Sequence, residues 1–125
     1  MKAELKKKWI EALRGQGKKK YKQGKGQLRD KNDNFCCLGV LCDIIDPLKW
    51  CILPNDYVYS YTAEGSSDNR LYLPFSLRKH FNDWNIGGGT IQTILVNAND
   101  GYEQPQKNFD EIADMVEELV PIDPE

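Results

Sequence analysis

The sequence has no apolar run long enough to cross a bilayer, which takes about 20 residues. Its longest uninterrupted apolar stretch, residues 35–42, has eight. The basic N-terminal residues are not followed by an apolar segment, so we predict no signal peptide and a cytoplasmic protein. Hydrophobic residues make up 40% of the 125 and charged residues 29%, which is typical of one folded, soluble domain.

Histidine occurs only once, at position 80, and two familiar phosphate-binding loops, G-x-x-x-x-G-K-[ST] and G-x-G-x-x-G, do not occur. A cysteine nucleophile needs a base, and His80, the single imidazole, belongs to an amphipathic segment of its own. No carboxylate stands apart in an apolar context, where a raised pKa is expected. We therefore assign no catalytic residue, and we predict that the protein is not an enzyme and uses no cofactor.

The cysteines do not form a metal-binding pattern. Cys36, Cys37 and Cys42 lie in the apolar stretch, and Cys51 follows it. Cys37 and Cys42 have a C-x4-C spacing, but no second pair of ligands accompanies them. Free cysteine is among the most buried residue types, and disulfides are rare in the cytosol. All four are therefore predicted to be buried, inert thiols.

The segment before the apolar stretch resembles the start of a calcium-binding loop. Asp30, Asn32 and Asn34 occupy its first three ligand positions. However, Phe35 stands where that loop needs glycine, and Leu41 stands where it needs a bidentate glutamate. We predict no metal site.

The net charge of -2 conceals two halves of opposite sign. Residues 1–33 carry twelve basic and four acidic side chains, whereas residues 34–125 carry five basic and fifteen acidic ones. This division is typical of an anion-binding face or of self-complementary association. Solvated lysines on an amphipathic helix, Lys6 among them, explain the charges before residue 10 but not those of the loop that follows.

Apolar spacing predicts a helix at the N-terminal end. Leu5, Trp9 and Leu13 recur every four residues, which predicts a helix over residues 2–14 with Trp9 as its anchor in the core. The glycine at position 15 is a usual signal for a helix end.

A second amphipathic helix is predicted over residues 109–120. Its apolar side chains recur at i, i+3, i+4 and i+7, and its acidic side chains fall outside that stripe. Asn108 is a suitable N-cap, and Glu111 can close a capping box onto its backbone amide. Pro121 ends the helix.

Residues 35–45 are apolar on almost all sides and are predicted to form the buried centre of the core. Their length favours a helix over a strand, with Asn34 as a candidate N-cap. Gly39 inside a helix costs about 1 kcal/mol relative to alanine. We therefore expect another element to cross closely at Gly39.

The middle of the chain is predicted to contain β structure over residues 48–73, with alternation at 57–61, and a short helix over 74–84. Residues 90–96 fit a strand and a helix equally, and residues 97–101 are predicted to form a turn. The sequence therefore predicts a single α+β domain. In it, terminal amphipathic helices and a buried central helix pack with a small antiparallel sheet.

The basic loop over residues 18–34 is the best candidate for a binding site. Its glycines at positions 24 and 26 suggest kinks between short extended pieces. Tyr21 lies among five lysines, and Arg29 follows closely. Lysine attracts phosphate, an aromatic ring stacks on a base, and arginine binds phosphate with two donors. The alternative interpretation is an ordinary solvated loop.

Several short motifs occur together in the chain. They are Trp-x-x-Ala-Leu-Arg at residues 9–14, Tyr-Lys-Gln-Gly-x-Gly-x-Leu-Arg at 21–29, Phe-Cys-Cys-Leu-Gly-Val-Leu-Cys-Asp at 35–43, Asn-Asp-Gly at 99–101 and Phe-x-x-Ile-Ala-Asp at 109–114. This combination resembles a family of small phage and prophage proteins. The chain departs from it in two extra lysines before Tyr21 and in a longer connection over 101–108, and residues 48–90 match nothing in it.

The resemblance implies an accessory protein of a bacterial virus. Such proteins often counter host defences, either by sequestering a nucleotide immune signal or by blocking a defence protein. Our first hypothesis is therefore a non-enzymatic protein that binds and sequesters an anionic, nucleotide-like immune signal. Lys20, Lys22 and Arg29 would hold phosphate, Tyr21 would stack, and Gln23, Asn99 and Asp100 would bond to ribose or base.

Two alternatives stay open. The protein could inhibit a host defence protein directly through one of its charged faces, or it could be a nucleotide-processing enzyme. A homo-oligomer is also expected, with the acidic C-terminal helix facing the basic front of a neighbour.

Overall fold

In the part of the chain that the structure describes, four helices pack around an apolar core. The computed structural model describes residues 1–52, 59–61, 85–86 and 89–124. Helix α1 packs against both α2 and α4, and α3 also packs against α2 and α4. The helices are α1 (Ala3–Leu13), α2 (Cys37–Ile45), α3 (Ile91–Asp100) and α4 (Phe109–Leu119).

Short strands pair beside the helices. Strand β1 is parallel to β2, β3 is antiparallel to β4, and β5 is antiparallel to β6. The predicted α+β class is confirmed, whereas the parallel pair was not foreseen. The helix predicted over 74–84 lies outside the described residues. The strands are β1 (Lys22–Gln23), β2 (Asn34–Phe35), β3 (Trp50–Ile52), β4 (Tyr59–Tyr61), β5 (Asn85–Ile86) and β6 (Gly89–Thr90), and a 3-10 helix (Pro47–Lys49) precedes β3.

The core draws side chains from all four helices and from the basic loop. Trp9 is fully buried, as predicted, and its indole nitrogen donates a 3.0 Å hydrogen bond to the carbonyl oxygen of Cys37. The indole therefore anchors α1 directly to the first residue of α2. Other wholly or almost wholly buried side chains are Leu28, Phe35, Leu38, Leu41, Ile91, Leu95, Ile112 and Val116.

The start of α2 differs from the prediction in its cap. Asn34 is not the N-cap, because it lies in β2 and its side-chain amide donates to Asp30 at 3.0 Å. The N-cap is Cys36, whose sulfur accepts a hydrogen bond from the amide of Gly39 at 3.4 Å. The expected close crossing is confirmed, since a Cβ at Gly39 would lie 1.8 Å from the carbonyl oxygen of Leu28.

The segment over residues 90–96, which fitted both a strand and a helix, is helical from Ile91 onward, whereas Thr90 ends β6. The turn predicted over 97–101 is wrong for most of its length, because α3 continues to Asp100. Leu95 and Ala98 are fully buried and extend the helical stripe into the predicted turn. The chain turns only at Gly101, whose φ of 74° suits a glycine that follows a helix.

Side-chain hydrogen bonds satisfy backbone groups at both ends of α4. The predicted capping box is present, with Asn108 and Glu111 bonded to each other's backbone amides at 2.9 and 3.1 Å. The prediction that Lys6 is solvated is wrong. It is 8% exposed, and its ammonium group donates to the carbonyl oxygens of Glu117 at 2.9 Å and Val120 at 2.7 Å. A cation at a helix C-terminus is favourable because the helix dipole is negative there.

Candidate functional site

The basic segment, which we define as residues 18–31, presents different residues on the two sides of β1. Lys20 and Lys22 are exposed, whereas Tyr21 and Gln23 alternate with them and are partly buried. This alternation is that of an extended chain. Within the described ranges, neither Lys20 nor Lys22 has an ion-pair partner. The residues predicted to bind a ligand are thus divided between an outer and an inner side.

On the inner side, two cations and two rings surround Phe35 and form the aromatic–cation cluster. The rings of Tyr21 and Trp50 meet Phe35 edge-on, with centroids 5.0 and 6.0 Å from it. The charged groups of Lys19 and Arg29 lie 5.1 and 5.2 Å from the same centroid. Both kinds of contact are favourable. The structure therefore brings Tyr21 and Arg29 together, as the sequence-based hypothesis requires.

Asp43 lies against this cluster and was missed by sequence reasoning. Its side chain is 5% exposed. It accepts hydrogen bonds from the hydroxyl of Tyr21 at 2.6 Å, the indole nitrogen of Trp50 at 2.9 Å and the ammonium of Lys19 at 3.2 Å. The prediction that no carboxylate stands in an apolar context is therefore wrong. The sequence did contain a signal for this site, because Asp43 is the single acid within the largely apolar residues 35–45.

The donors around Asp43 keep it ionised. Burial raises the pKa of Asp43, but the hydrogen bonds from Tyr21, Trp50 and Lys19 outweigh burial and hold that pKa below its usual value. Burial and the hydrogen bond to Asp43 raise the pKa of Tyr21 well above its ordinary range. Tyr21 is therefore a neutral donor at physiological pH, and the cluster contains no phenolate.

Arg29 is held by a carboxylate of its own loop. Its Nε and Nη2 donate to one oxygen of Asp33, at 2.9 and 2.7 Å. Asp33 is 61% exposed in its side chain and has a φ of 60°, in the left-handed region. An anion that approaches Arg29 therefore competes with Asp33 for the guanidinium.

Gln23 and Asn99 form a second network on the inner side of β1. The amide nitrogen of Gln23 donates to the side-chain oxygen of Asn99 at 3.1 Å and to the carbonyl oxygen of Lys107 at 2.7 Å. Both donors of this amide are thus used within the chain. The network ties β1 to the end of α3 and to the segment before α4.

The prediction that Asn99 binds the ligand is corrected by its position in the fold. It is 0% exposed, and its amide nitrogen donates to the carbonyl oxygen of Gly24 at 2.8 Å and to Asp100 at 2.9 Å. Its side-chain oxygen also accepts from the backbone amide of Cys37 at 3.2 Å. A buried side chain with all its groups bonded holds elements together and does not meet a ligand. Asp100 is partly exposed.

The cysteines are free thiols, and three of them are buried. Burial raises the pKa of Cys36 to about 12 and raises those of Cys37 and Cys42 as well. These thiols are weak nucleophiles because little thiolate forms. The prediction was wrong for Cys51, which is exposed. Among the described residues, no three His, Cys, Asp or Glu side chains lie close enough to hold a metal ion.

The acidic face of α4 lies on another part of the surface. Arg14, the residue that follows α1, partly neutralises it, because its guanidinium lies 2.6 Å from the carboxylate of Asp114 and 3.7 and 3.9 Å from those of Glu117 and Asp110. The side chains that form this face are all exposed, namely Asp110, Glu111, Asp114, Glu117 and Glu118.

Comparison with known families identifies a match over most of the chain. The family model described as "Domain of unknown function (DUF8296)" matches residues 1–120, which is most of the chain. No curated protein and no solved structure matches the chain. In the part of the chain that the structure describes, no helix has the length and apolar character needed to cross a membrane.

Proposed function

The chain belongs to this family of domains of unknown function (DUF8296), and we propose that it binds and sequesters an anionic, nucleotide-like ligand. The observation that carries the proposal is the arrangement of cations on the basic segment. Lys20 and Lys22 are exposed and have no ion-pair partner among the described residues, and Arg29 lies on the aromatic–cation cluster behind them. Unneutralised lysines attract phosphate at long range.

Recognition in this proposal depends on the cations and on Tyr21. Lys20 and Lys22 attract phosphate as point charges, and Arg29 can offer a planar set of donors to its oxygens. Tyr21 is partly buried and supplies a ring at the boundary between the cluster and solvent. Gln23 and Asn99 are left out of this site, because the amide nitrogens of both side chains are bonded within the chain.

The biological role that we propose is that of a phage accessory protein acting in the host cytoplasm. The ligand would be a nucleotide immune signal, and the protein would act as a sponge that removes it by binding without chemical change. The three buried thiols and the neutral Tyr21 support binding over catalysis, since none of them is an activated nucleophile.

The second candidate is an inhibitor that binds a host defence protein directly. The acidic face of α4 favours it, because that face offers a second charged surface, opposite in sign to the basic segment. The same two surfaces would also suit a homo-oligomer in which the acidic face of one copy meets the basic segment of the next.

A thermal-shift screen tests the proposal. We expect AMP, ADP-ribose or a cyclic dinucleotide to raise the melting temperature, since a ligand at 100 times its Kd stabilises the native state by about 2.7 kcal/mol. The ligand should be recovered intact after heat denaturation. Conversion of the ligand would show an enzyme. No shift with any nucleotide, together with capture of one defined host protein, would favour the inhibitor instead.

A pair of substitutions at one ion pair locates the site. Arg29→Gln should weaken binding of the ligand that gives the largest shift. Asp33→Asn should strengthen it, because asparagine also tolerates the left-handed conformation but no longer competes for the guanidinium. Equal affinities for the two variants would place the ligand elsewhere.

A further inference from the structure

Lys20 and Lys22 lie on the same side of an extended segment. Successive side chains of such a segment point to opposite sides, so residues two apart share a side and have Cα atoms roughly 6.6 Å apart. The burial pattern agrees, because both lysines are exposed while Tyr21 between them is partly buried. We therefore expect the side chains of Lys20 and Lys22 to leave the chain on the same, outer side, at the start of β1.

This spacing discriminates between two kinds of phosphate ligand. In a nucleoside diphosphate or triphosphate, neighbouring phosphates share a bridging oxygen and lie closer together than the two lysines. In a nucleic acid strand, a sugar separates successive phosphates, so each of two phosphates can lie beside its own lysine when the lysine Cα atoms are roughly 6.6 Å apart. The outer side of β1 therefore matches phosphodiesters in series.

More exposed lysines precede and follow β1 in the sequence. Lys18 and Lys25 are exposed, and neither has an ion pair within the described residues. Over residues 18–31 the chain carries seven cationic side chains and a single acid, Asp30. A segment with more than two cations is suited to a ligand with several separated charges.

The residues on the inner side indicate that binding would depend little on the identity of the base. The ring of Tyr21, whose centroid lies 5.2 Å from the ammonium of Lys19, does not select among bases by stacking, because every base has a π face. The amide nitrogen of Gln23 is bonded to Asn99 and Lys107. Both donors of the Gln23 amide are thus engaged within the chain, whereas Lys20 and Lys22 have no ion-pair partner among the described residues.

From this we infer that the ligand is a single-stranded oligonucleotide, bound through at least two successive phosphodiesters by Lys20 and Lys22 with little dependence on base. The inference rests on the proposed function and narrows its ligand class.

The test measures affinity against salt concentration with defined probes. The probes are the single-stranded tetranucleotides of adenosine and of uridine, ATP, and inorganic tripolyphosphate. We expect both tetranucleotides to bind at least about tenfold more tightly than ATP at equal salt. Because each neutralised phosphate of a single strand contributes about 0.7 to the slope of log K against log salt, that slope should be about -1.4 or steeper.

Two double variants with the same change of charge show which lysines cause the salt dependence of binding. Lys20→Gln with Lys22→Gln should make the slope shallower by about 1.4, since two phosphate contacts are lost. Lys7→Gln with Lys8→Gln removes two exposed lysines from α1 and should leave the slope unchanged.

The outcomes separate the inference from the proposed function. Equal binding of ATP and the tetranucleotides would overturn the inference and leave the proposed function standing. Equal binding of tripolyphosphate and the tetranucleotides would show that charge alone drives binding, and it would also overturn the inference. No binding of any nucleotide would overturn both.

Discussion

The hydroxyl of Tyr21 donates a 2.6 Å hydrogen bond to the buried carboxylate of Asp43, 22 residues further along the chain. Asp43 belongs to α2, and the same carboxylate accepts from Trp50 of β3 at 2.9 Å. One acidic side chain therefore fixes the basic segment to the central helix and to the strand that follows it. Because Tyr21 stands between Lys20 and Lys22, we expect this bond to hold the backbone of both lysines in place.

Removing the hydroxyl of Tyr21 should weaken the fold. We expect Tyr21→Phe to lower the free energy of unfolding by about 1.5 kcal/mol, because a hydrogen bond to a charged, buried group is lost. Urea denaturation measures this change. Tyr102→Phe is the matched control, since Tyr102 is 61% exposed, and it should change stability by less than about 0.5 kcal/mol. Equal effects would mean that the bond to Asp43 does not stabilise the fold.

Asp43 should make stability depend on pH in acid. Its pKa is lowered in the folded state, so its contribution is present above the unfolded pKa of about 3.9 and is lost as the pH falls through the folded value. Asp43→Asn should therefore be less stable than the wild type at neutral pH, and the difference should shrink below about pH 4. Urea denaturation across this range measures both proteins. A difference that does not vary with pH would show that ionisation of Asp43 is irrelevant.

Asn99→Ala should destabilise the fold without acting on ligand contacts. The substitution leaves buried partners of Asn99 unsatisfied, among them the amide of Cys37 and the carbonyl oxygen of Gly24, so we expect a loss of about 3 kcal/mol. Asn97→Ala on the same helix is the control, and it should cost less than about 1 kcal/mol. Below the melting temperature, Asn99→Ala should retain the affinity of the wild type for nucleotide. A large loss of affinity in folded protein would restore Asn99 to the binding site.

Local patterns account for what the sequence predicted well. The spacing of Leu5, Trp9 and Leu13 determines one buried face of α1, and the capping box at Asn108 needs only neighbours within one helical turn. Gly39 was informative because a glycine inside a buried helix has few explanations other than a close contact, and the carbonyl of Leu28 supplies that contact.

Long-range pairing accounts for what the sequence did not predict. The parallel pair of β1 and β2 depends on the loop between them, and two residues are too few for an alternating pattern. Asn99 looked like a turn residue because its partners, Gln23 and Cys37, lie 76 and 62 residues away. In the same way, nothing near Asp43 in sequence indicates that Tyr21 and Lys19 will bond to it.

The most direct test of the binding site is calorimetric titration of the two lysine double variants. ADP-ribose and the adenosine tetranucleotide are titrated in turn into wild type, Lys20→Gln/Lys22→Gln and Lys7→Gln/Lys8→Gln at the same salt concentration. We expect the first variant to lose at least about tenfold in affinity, or about 1.4 kcal/mol, for the probe that wild type binds, and the second to match the wild type. Equal affinities for all three proteins, or equal losses for both variants, would contradict a binding site on the basic segment.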